Sequence, residues 1–583
     1  MRRLVATVLL TSVLVFGVSS GPSVSLAQRK SSPPKAAPVS LASQRGVDTI
    51  NAAQLKDYLS FIASDEMEGR DTPSRGLDTT AKFLAMNLSR WGFKPAGDDG
   101  SYFQKIVLSR DLVDKAETRV EFEDQTLAFG TDYIPSARPA DLPATQLVFA
   151  GNGWFIKSKD IDAYKGIDAK GKIAIIFGSP NGFPLGIRGS DLSGKRGEDW
   201  MNAGEYAQKQ GVAALVIIPD FQYLANWERN RSRVIERGVT KVDKFQAPAG
   251  AQIPQLVLSP HVAEVLFQNE RQNAQSIFES IYAGKTPEPF ALNSDKKLAI
   301  TVKVKSDRVT TQNVVAVFEG SDPVLRDEYV ALGAHYDHVG IGVPVNGDAI
   351  YNGADDDGSG TTALLGMAEA LAKARVRPKR TVLFVWHAGE EKGLWGSRYF
   401  TEHPTLPLAK IVTQINIDMI GRSKKAGDTN PRNNSLSGPN EIYVIGSKMM
   451  STELGDLVAG VNQQYLKLTY DYRYDDPADP NRFFFRSDHY NYARHGIPIV
   501  FFFDGEHEDY HRPGDSVDKI DFQKMENVAR TIYLTLWEVA NRPARPKVDK
   551  QLPVQLTVNE RQNKSVALIT AFSYEAAIGF VTR

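Results

Sequence analysis

Between about residues 308 and 541, short apolar segments alternate with helical patterns, and this alternation constrains the fold more than any other feature of the chain. Several of the apolar segments are almost continuously hydrophobic, as expected when helices cover both faces of a sheet. The pattern predicts an α/β fold: a mixed, mostly parallel sheet with helices on both faces. The predicted strands are Val314–Phe318, Val330–Ala334, Val382–Trp386, Val412–Ile417, Ile442–Ile445 and Ile497–Phe503. The predicted helices are Gly358–Ala374, Ser451–Gln464 and Phe522–Ala540.

Four of these strands end in, or just before, side chains that can bind metal ions. In open α/β sheets, sites are built at the edge where the carboxyl ends of the strands meet. Three consecutive aspartates, Asp355 to Asp357, precede a predicted helix at the same edge, and a cation among them would compensate their mutual repulsion. The side chains at the four strand ends are His335, Glu390 with Glu391, Asp418, and His511.

Each of these side chains alone has an ordinary explanation, as a solvated glutamate, a helix cap or a surface histidine. Independent surface residues, however, have no reason to recur at one edge of one sheet. Eight of the nine histidines also lie between His335 and His511. The joint occurrence therefore favours a metal site.

Charge counting indicates two metal ions. Two neutral histidines, one aspartate of the triplet, one glutamate and Asp418 carry three negative charges, which two divalent cations and a bridging hydroxide neutralise. The chain has no cysteine, so the ligands must be nitrogen and oxygen. That set suits zinc, with cobalt or manganese as substitutes. The remaining glutamate is then available as a general base.

The N-terminus has the layout of a signal peptide. Met1 to Arg3 is positive, Leu4 to Val18 is apolar, and Ser25 to Ala27 offers small residues for cleavage. We therefore predict a signal peptide over residues 1–27, export to the periplasm or the medium, and no stable membrane insertion after cleavage. Residues 28–45 are rich in Ser, Pro, Ala and Lys and are predicted to be a disordered linker. Lys and Arg number 69, as do Asp and Glu, so no basic field favours nucleic acid.

Six motifs closely resemble the dizinc aminopeptidases of metallopeptidase family 28. They are HYDH, NGADDDGSG, HAGEEKGLWGS, NIDM, RSDH and YHRPGD, in this order and spacing. The resemblance implies a zinc-exopeptidase fold and peptide substrates with a free N-terminus. It also implies that His335 and Asp418 bind one zinc ion, Glu391 and His511 bind the other, and Asp356 bridges both. Glu390 would be the general base, and Asp337 and Asp515 would support His335 and His511.

A second resemblance concerns the middle of the chain. Short strands and a helix between about residues 131 and 300, notably GKIAIIF and VAALVII, resemble the protease-associated domain of exported peptidases. We predict the N-terminal part of the peptidase domain over 46–130, this inserted domain over 131–300, the catalytic domain over 301–545, and an extension of unknown role over 546–583. From its position in the chain, the inserted domain is expected to cap the site.

Other functions on this fold stay open at this point. A dizinc carboxypeptidase needs a basic pocket, for which Arg231, Arg233, Arg422 and Arg486 are available. A metal-stabilised binding protein without catalytic activity has no need of Glu390. A glutaminyl cyclase uses one zinc ion and typically lacks the full ligand set. A serine hydrolase is disfavoured because Ser359 does not lie in a Gly-x-Ser-x-Gly motif.

One departure from the family pattern concerns the oxyanion of the tetrahedral intermediate. Family aminopeptidases often carry a tyrosine near the Ser-Asp-His segment that can donate a hydrogen bond to it. Phe484, Phe485 and Arg486 precede that segment here. This role is therefore expected to fall to the metals, to Arg486 or to a tyrosine elsewhere.

Overall fold

The structure is a computed structural model that describes residues 41–178, 182–246, 253–285 and 287–551. The predicted signal peptide and residues 28–40 of the predicted linker lie outside the described residues. So do residues 552–583, which include the alternating pattern from Val554 to Val558 in the C-terminal extension.

The strands of the described residues form two large sheets and two small ones. Their bounds are β1 Lys94–Pro95, β2 Phe103–Val113, β3 Arg119–Phe122, β4 Gln125–Thr126, β5 Tyr133–Pro135, β6 Ala140–Phe149, β7 Phe155–Ile156, β8 Ile161–Asp162, β9 Ile173–Phe177, β10 Trp200–Met201, β11 Ala214–Ile218, β12 Val239–Val242, β13 Gln255–Leu258, β14 Phe290–Ala291, β15 Lys297–Val302, β16 Val304–Phe318, β17 Tyr329–His335, β18 Gly340–Val345, β19 Asp348–Tyr351, β20 Thr381–His387, β21 Ile411–Ile417, β22 Glu441–Ile445, β23 Thr469–Asp471 and β24 Ile499–Phe503.

The α-helices pack against both large sheets. Their bounds are α1 Leu41–Gln44, α2 Ala52–Ile62, α3 Arg75–Arg90, α4 Ala203–Lys209, α5 Phe221–Ala225, α6 Trp227–Ser232, α7 Pro260–Leu266, α8 Ala274–Tyr282, α9 Gly358–Lys373, α10 Trp395–Glu402, α11 Ser447–Met450, α12 Thr452–Gln464, α13 His489–Ala493 and α14 Phe522–Asn541. Within the described ranges, none of these helices has the length and apolar character needed to cross a lipid bilayer.

The end of the predicted linker is ordered, which differs from the prediction. Helix α1 occupies part of residues 41–45, and Arg45 is buried. The Arg45 guanidinium lies 2.6 Å from a carboxylate oxygen of Glu538, and the Tyr533 hydroxyl donates a hydrogen bond to the Arg45 carbonyl. These two contacts with α14 fix a segment whose composition alone indicates disorder.

The central sheet has ten strands in the order β12-β2-β16-β20-β17-β21-β24-β22-β23, with β1 beside β16. Strands β20, β17, β21 and β24 form its parallel centre, and antiparallel pairs flank them on both sides. All six predicted strands and all three predicted helices are present, with bounds that shift by a few residues except at the start of β16, which is much longer. The mixed α/β fold predicted from the sequence is confirmed, but the sheet is not mostly parallel, because antiparallel pairings outnumber parallel ones.

The apolar residues of the central strands alternate between two cores. In β20, Val382, Phe384 and Trp386 face the core that α2, α3, α9, α12 and α14 complete. Leu383 and Val385 face the other core, with residues from α10, α11 and α13. Because both faces are covered, β20 is apolar at every position from Val382 to Trp386.

The second large sheet contains strands between Arg119 and Val302, with β6, β9, β11 and β13 parallel to one another. It is the second α/β region of the chain. Strands β3 and β4 pair in this sheet, although they precede the boundary predicted at residue 131. The resemblance of this region to a protease-associated domain stays a prediction.

One strand of the second region joins the central sheet instead. Strand β12 pairs with the edge strand β2, and Phe245 follows it directly. Phe245 is buried against α10, where the Arg398 guanidinium lies 3.9 Å from the centre of its ring. The second region is thus attached to the helix that follows Glu390 and Glu391.

Candidate metal centre

The predicted site residues meet at the carboxyl edge of the parallel centre of the sheet. His335 is the last residue of β17, and Asp418 directly follows β21. Glu390 and Glu391 follow β20 through a turn in which Gly389 has φ +72°, where a side chain would be strained and would press on Trp395. The remaining histidine, His511, lies in the loop that follows β24.

The three aspartates lie at the start of α9, as predicted. The Asp357 side chain accepts a hydrogen bond from the Gly360 amide at 2.9 Å and so caps the helix. The Asp355 side chain accepts one from the Gly421 amide at 2.7 Å. These two carboxylates are therefore engaged by the main chain, and Asp356 is presented to the histidines.

Asp356 lies between two histidines. Its Oδ1 atom is 3.3 Å from His335 Nε2, and its Oδ2 atom is 3.0 Å from His511 Nε2. Each histidine also faces a second carboxylate: His335 Nε2 is 3.5 Å from Asp418 Oδ1, and His511 Nε2 is 3.0 Å from Glu391 Oε2. The structure thus brings together all five predicted ligands, in the pairs that the family resemblance implies. Their role as ligands stays a prediction.

The sequence analysis missed His338 and Asp357 as donors. Two groups of three donor atoms lie within 4.8 Å of one another: His335 with Asp357 and Asp418, and His338 with Asp356 and Glu391. His338 Nδ1 is 3.0 Å from Glu391 Oε1. His338 is the second histidine of the HYDH motif, and this position could have indicated a further donor.

These residues fit a bound cation. Several of their polar atoms are buried and have no hydrogen-bond partner among the described residues, and such atoms cost free energy unless a ligand satisfies them. A spacing of 3.0–3.5 Å between histidine nitrogen and carboxylate oxygen is also what two ligands about 2.0–2.1 Å from one tetrahedral zinc ion produce. The unpartnered atoms are Asp356 Oδ2, Glu391 Oε1, His511 Nε2 and both ring nitrogens of His338.

Without a metal ion, His511 and Glu391 form a partly buried ion pair. Burial by itself would lower the pKa of His511, but the charge of Glu391 and the Asp356 and Glu391 carboxylates, each 3.0 Å from Nε2, raise it to about 10. Burial would likewise raise the pKa of Glu391, but the charge of His511 is the main cause that lowers it to about 2. A metal ion and a proton therefore compete for His511.

The pKa of Glu390 is shifted in the opposite direction from that of Glu391. Burial raises the pKa of Glu390 well above its usual value; the His335 charge opposes this, and the charges of Glu391 and Asp418 add to it. The Glu390 amide donates a hydrogen bond to Asp337 Oδ1 at 3.1 Å. A half-buried carboxyl group that binds a proton readily is suited to proton transfer.

Asp337 and Asp515, the two aspartates expected to support the histidines, make different contacts. Asp337 Oδ1 lies 3.7 Å from His335 Nδ1, beyond hydrogen-bond distance, and the main-chain carbonyl of Asp337 is closer, at 3.2 Å. Asp515 was expected to support His511, but its carboxylate accepts hydrogen bonds from the main-chain amides of Asp355 and Asp356 at 3.0–3.1 Å. It therefore orients the predicted bridging aspartate.

A phenol lies beside the site although the expected position carries phenylalanine. The Tyr510 ring stacks on the His511 ring, with centroids 4.0 Å apart and an angle of 20° between the planes. Arg486 lies beside Tyr510, and its Nη2 atom is 2.6 Å from Glu506 Oε1. Both residues considered for oxyanion stabilisation, Arg486 and a tyrosine, thus lie together next to His511.

Comparisons with known proteins point to the same region of the chain. Residues 313–536 match the family model described as Peptidase family M28. A probable zinc metalloprotease of Pyrenophora teres f. teres is 28% identical over 255 residues, which are 41% of this chain and 50% of the relative. A probable leucine aminopeptidase 2 of Aspergillus oryzae is 35% identical over 203 residues, 34% of each chain. The chain therefore spans a third to a half of the length of these curated relatives.

A solved structure extends the likeness to most of the chain. The aminopeptidase from Aneurinibacillus sp. strain AM-1 is similar over 87% of this chain and 98% of that chain, with a TM-score of 0.50 and 16% sequence identity. At this identity the likeness shows a shared fold. The family match and the named relatives agree with the metallopeptidase resemblance inferred from the motifs.

Proposed function

We propose that this protein is an exported metallo-aminopeptidase that binds two zinc ions and removes N-terminal residues from peptides. The observation that carries the proposal is the placement of Asp356 between two pairs of histidine and carboxylate, with Glu390 next to one of the ligands. The names of the relatives support the same class. Export rests on the signal-peptide pattern at residues 1–27.

His335 and Asp418 would hold one zinc ion, Glu391 and His511 the other, and Asp356 would contact both. When bound, the ions supply Lewis-acid polarisation of the scissile carbonyl group and lower the pKa of a water molecule. Glu390 takes the proton of the attacking water and returns it to the leaving amine. Cobalt or manganese could replace zinc in this oxygen and nitrogen ligand set.

The Tyr510 hydroxyl would donate a hydrogen bond to the oxyanion that forms on the substrate. The phenol ring stacks on His511 beside Arg486, and Glu506 in turn binds the guanidinium. A donor that is already oriented stabilises developing charge without reorganisation. This assignment replaces the tyrosine that the Ser-Asp-His segment lacks.

Arg231, Arg422 and Arg486, which were considered for a carboxypeptidase pocket, are bound to carboxylates. Arg422 Nη2 is 2.9 Å from Asp509, and Arg486 Nη2 is 2.6 Å from Glu506. Arg231 pairs with Glu228 at 2.8 Å. A guanidinium that is neutralised within the protein attracts a substrate carboxylate weakly, so these pairs favour the aminopeptidase over the carboxypeptidase.

Ser359 is held in the structure of the helix start. Its hydroxyl donates to the Asp355 carbonyl at 2.8 Å and accepts from the Ile420 amide at 2.9 Å. Both hydrogen bonds occupy the oxygen that a serine nucleophile would use, in agreement with the exclusion of a serine hydrolase.

The test is hydrolysis of aminoacyl-p-nitroanilides, free and N-acetylated, by zinc-loaded wild type, Glu390→Gln and the surface control Glu319→Gln. We expect cleavage of the free-amine substrates only, a loss of about 10²–10⁴-fold in Glu390→Gln, and no loss in Glu319→Gln. Zinc content should be equal in all three proteins. Cleavage of C-terminally acidic peptides in place of the free-amine substrates would identify a carboxypeptidase, and zinc binding without any cleavage would identify a binding protein.

A further inference from the structure

Arg70 is a fully buried guanidinium that lies outside the part of the chain matched by the peptidase family model. It ends the short helical segment Asp65–Arg70 that follows α2. Its main-chain carbonyl accepts a hydrogen bond from the His338 amide at 3.1 Å. Both its main chain and its side chain therefore contact the metal centre's supporting loops.

The Arg70 side chain joins three segments of the chain through main-chain carbonyls. Its Nε atom donates to Tyr336 at 2.9 Å, and Nη2 donates to Gly353 at 2.8 Å. Its Nη1 atom donates to Ile62 and Asn352, each at 2.7 Å. All four acceptors are neutral oxygens, so the geometry of the planar guanidinium matters more than a single ion pair.

Two of these acceptors, Tyr336 and Gly353, lie at the two ends of the segment that connects two predicted ligands. Tyr336 follows the predicted ligand His335, and Gly353 precedes the predicted ligand Asp356 by three residues. Between them, β18 and β19 form a separate two-stranded hairpin away from the central sheet. The guanidinium bonds both ends of this hairpin and so fixes the distance between the segments that carry the two ligands.

The charge of Arg70 also faces the carboxylates of the site. Burial lowers the pKa of Arg70 to about 10, so the side chain stays protonated at neutral pH. The acidic residues that oppose this lowering are Asp337, Asp515, Asp356 and Asp357. A buried positive charge at this place reduces the repulsion among them.

We propose that Arg70 is a positioning residue of the metal centre: it holds the strand end at His335 and the turn before Asp356 at the separation that metal binding requires. This inference rests on the proposed function, because it assumes that these residues bind metal. Residues that orient metal ligands typically contribute about 10–100-fold to metal affinity. Lysine cannot replace Arg70, since one ammonium group cannot reach four carbonyls on three segments.

The experiment measures the zinc affinity of the full-length chain by competition with a chromophoric chelator, in wild type, Arg70→Lys and Arg380→Lys. Arg380 is the matched control: it is buried, bonds the Val539 carbonyl at 3.2 Å and Glu328 at 2.8 Å, and lies at the opposite end of β20. We expect zinc affinity to fall about 10–100-fold in Arg70→Lys and to stay unchanged in Arg380→Lys. The Tm of each metal-free protein is measured in parallel, so that loss of fold and loss of affinity are separated.

Wild-type affinity in a folded Arg70→Lys protein would overturn the inference and leave the proposed function intact. A wild type that binds no zinc would overturn both. If Arg70→Lys does not fold, Arg70→Gln is measured in its place. Failure of both variants to fold, with Arg380→Lys folded, would show that Arg70 serves the fold as a whole and would overturn its specific role at the metal centre.

Discussion

The Nε2 atom of His511 lies 3.0 Å from the Oδ2 atom of Asp356, and the other oxygen of the same carboxylate faces a second histidine, His335. The Asp356 side chain therefore contacts both halves of the predicted metal centre, the half with His335 and the half with His511. Each half adds one further carboxylate of its own, Asp418 or Glu391. The effects of substitution should differ between the shared residue and the residues that belong to one half.

Asp356→Asn should weaken binding of both metal ions, because the amide lacks the negative charge and one of the two oxygen donors. Asp418→Asn should weaken only the ion that His335 contacts. After dialysis against metal-free buffer, zinc measured by atomic absorption should be close to zero per chain in Asp356→Asn and about one in Asp418→Asn. Two retained ions in Asp356→Asn would contradict the bridging assignment.

The metal-free protein should lose stability as the pH rises above neutrality. The pKa of His511 is raised to about 10 in the folded state and is about 6.5 in the unfolded chain. Its contribution is therefore fully present below pH 6.5 and is lost as the pH rises to about 10. In the presence of EDTA, the difference in Tm between wild type and His511→Gln should shrink across this range. A difference that stays constant with pH would show that His511 is not protonated in the metal-free fold.

Tyr510→Phe should lower kcat with little change in KM, because the phenol is expected to act on the oxyanion and not on the bound substrate. Loss of one such donor typically costs about 10²–10³ in kcat. The matched control is Tyr58→Phe on α2, which removes a hydroxyl that donates to Glu369 of α9 at 2.6 Å. An equal rise in KM, or unchanged kinetics, would rule out this role for Tyr510 and leave the oxyanion to the metals or to Arg486.

Local patterns were sufficient to predict the central strands and the ends at which the site lies. Val382 to Trp386 is apolar at every position, and the polar residues that follow it could be placed at the sheet edge without coordinates. The same reasoning could not distinguish His335 from His338 as a donor, because both follow the same strand within three residues. Only the ring orientations place His338 against Glu391.

Contacts between residues that lie far apart in the sequence could not be predicted from local sequence patterns. Arg70 binds Gly353, 283 residues further on, and nothing in the sequence around either residue indicates the pair. The ordered helix at Leu41 depends in the same way on Arg45 meeting Glu538. The pairing of β12 with β2 was not predicted, because the sequence of a four-residue strand within the second region does not indicate which sheet the strand joins.

This attachment of the second region to the central sheet gives the last prediction. Phe245 is buried with Ile106, Leu108 and Val242 and lies under Arg398 of α10. Truncation of a buried phenylalanine leaves a cavity and typically costs about 3–5 kcal/mol. We expect Phe245→Ala to lower the free energy of unfolding by about this amount, measured by urea denaturation. The control Phe221→Ala, at a position where the ring is 65% exposed, should change it by less than about 0.5 kcal/mol.

Hydrogen exchange locates the effect of Phe245→Ala. If Phe245 holds β12 on the central sheet, the amides of β12 that bond β2 should exchange faster in the variant, while those of β17 and β20 should stay protected. Phe245 also contacts Arg398 of α10, and the Leu394 amide at the start of this helix donates to the Glu390 carbonyl at 2.9 Å. The Leu394 amide should therefore exchange faster in the variant as well. Unchanged exchange in β12 would mean that its pairing with β2 holds the two regions together without the Phe245 contact.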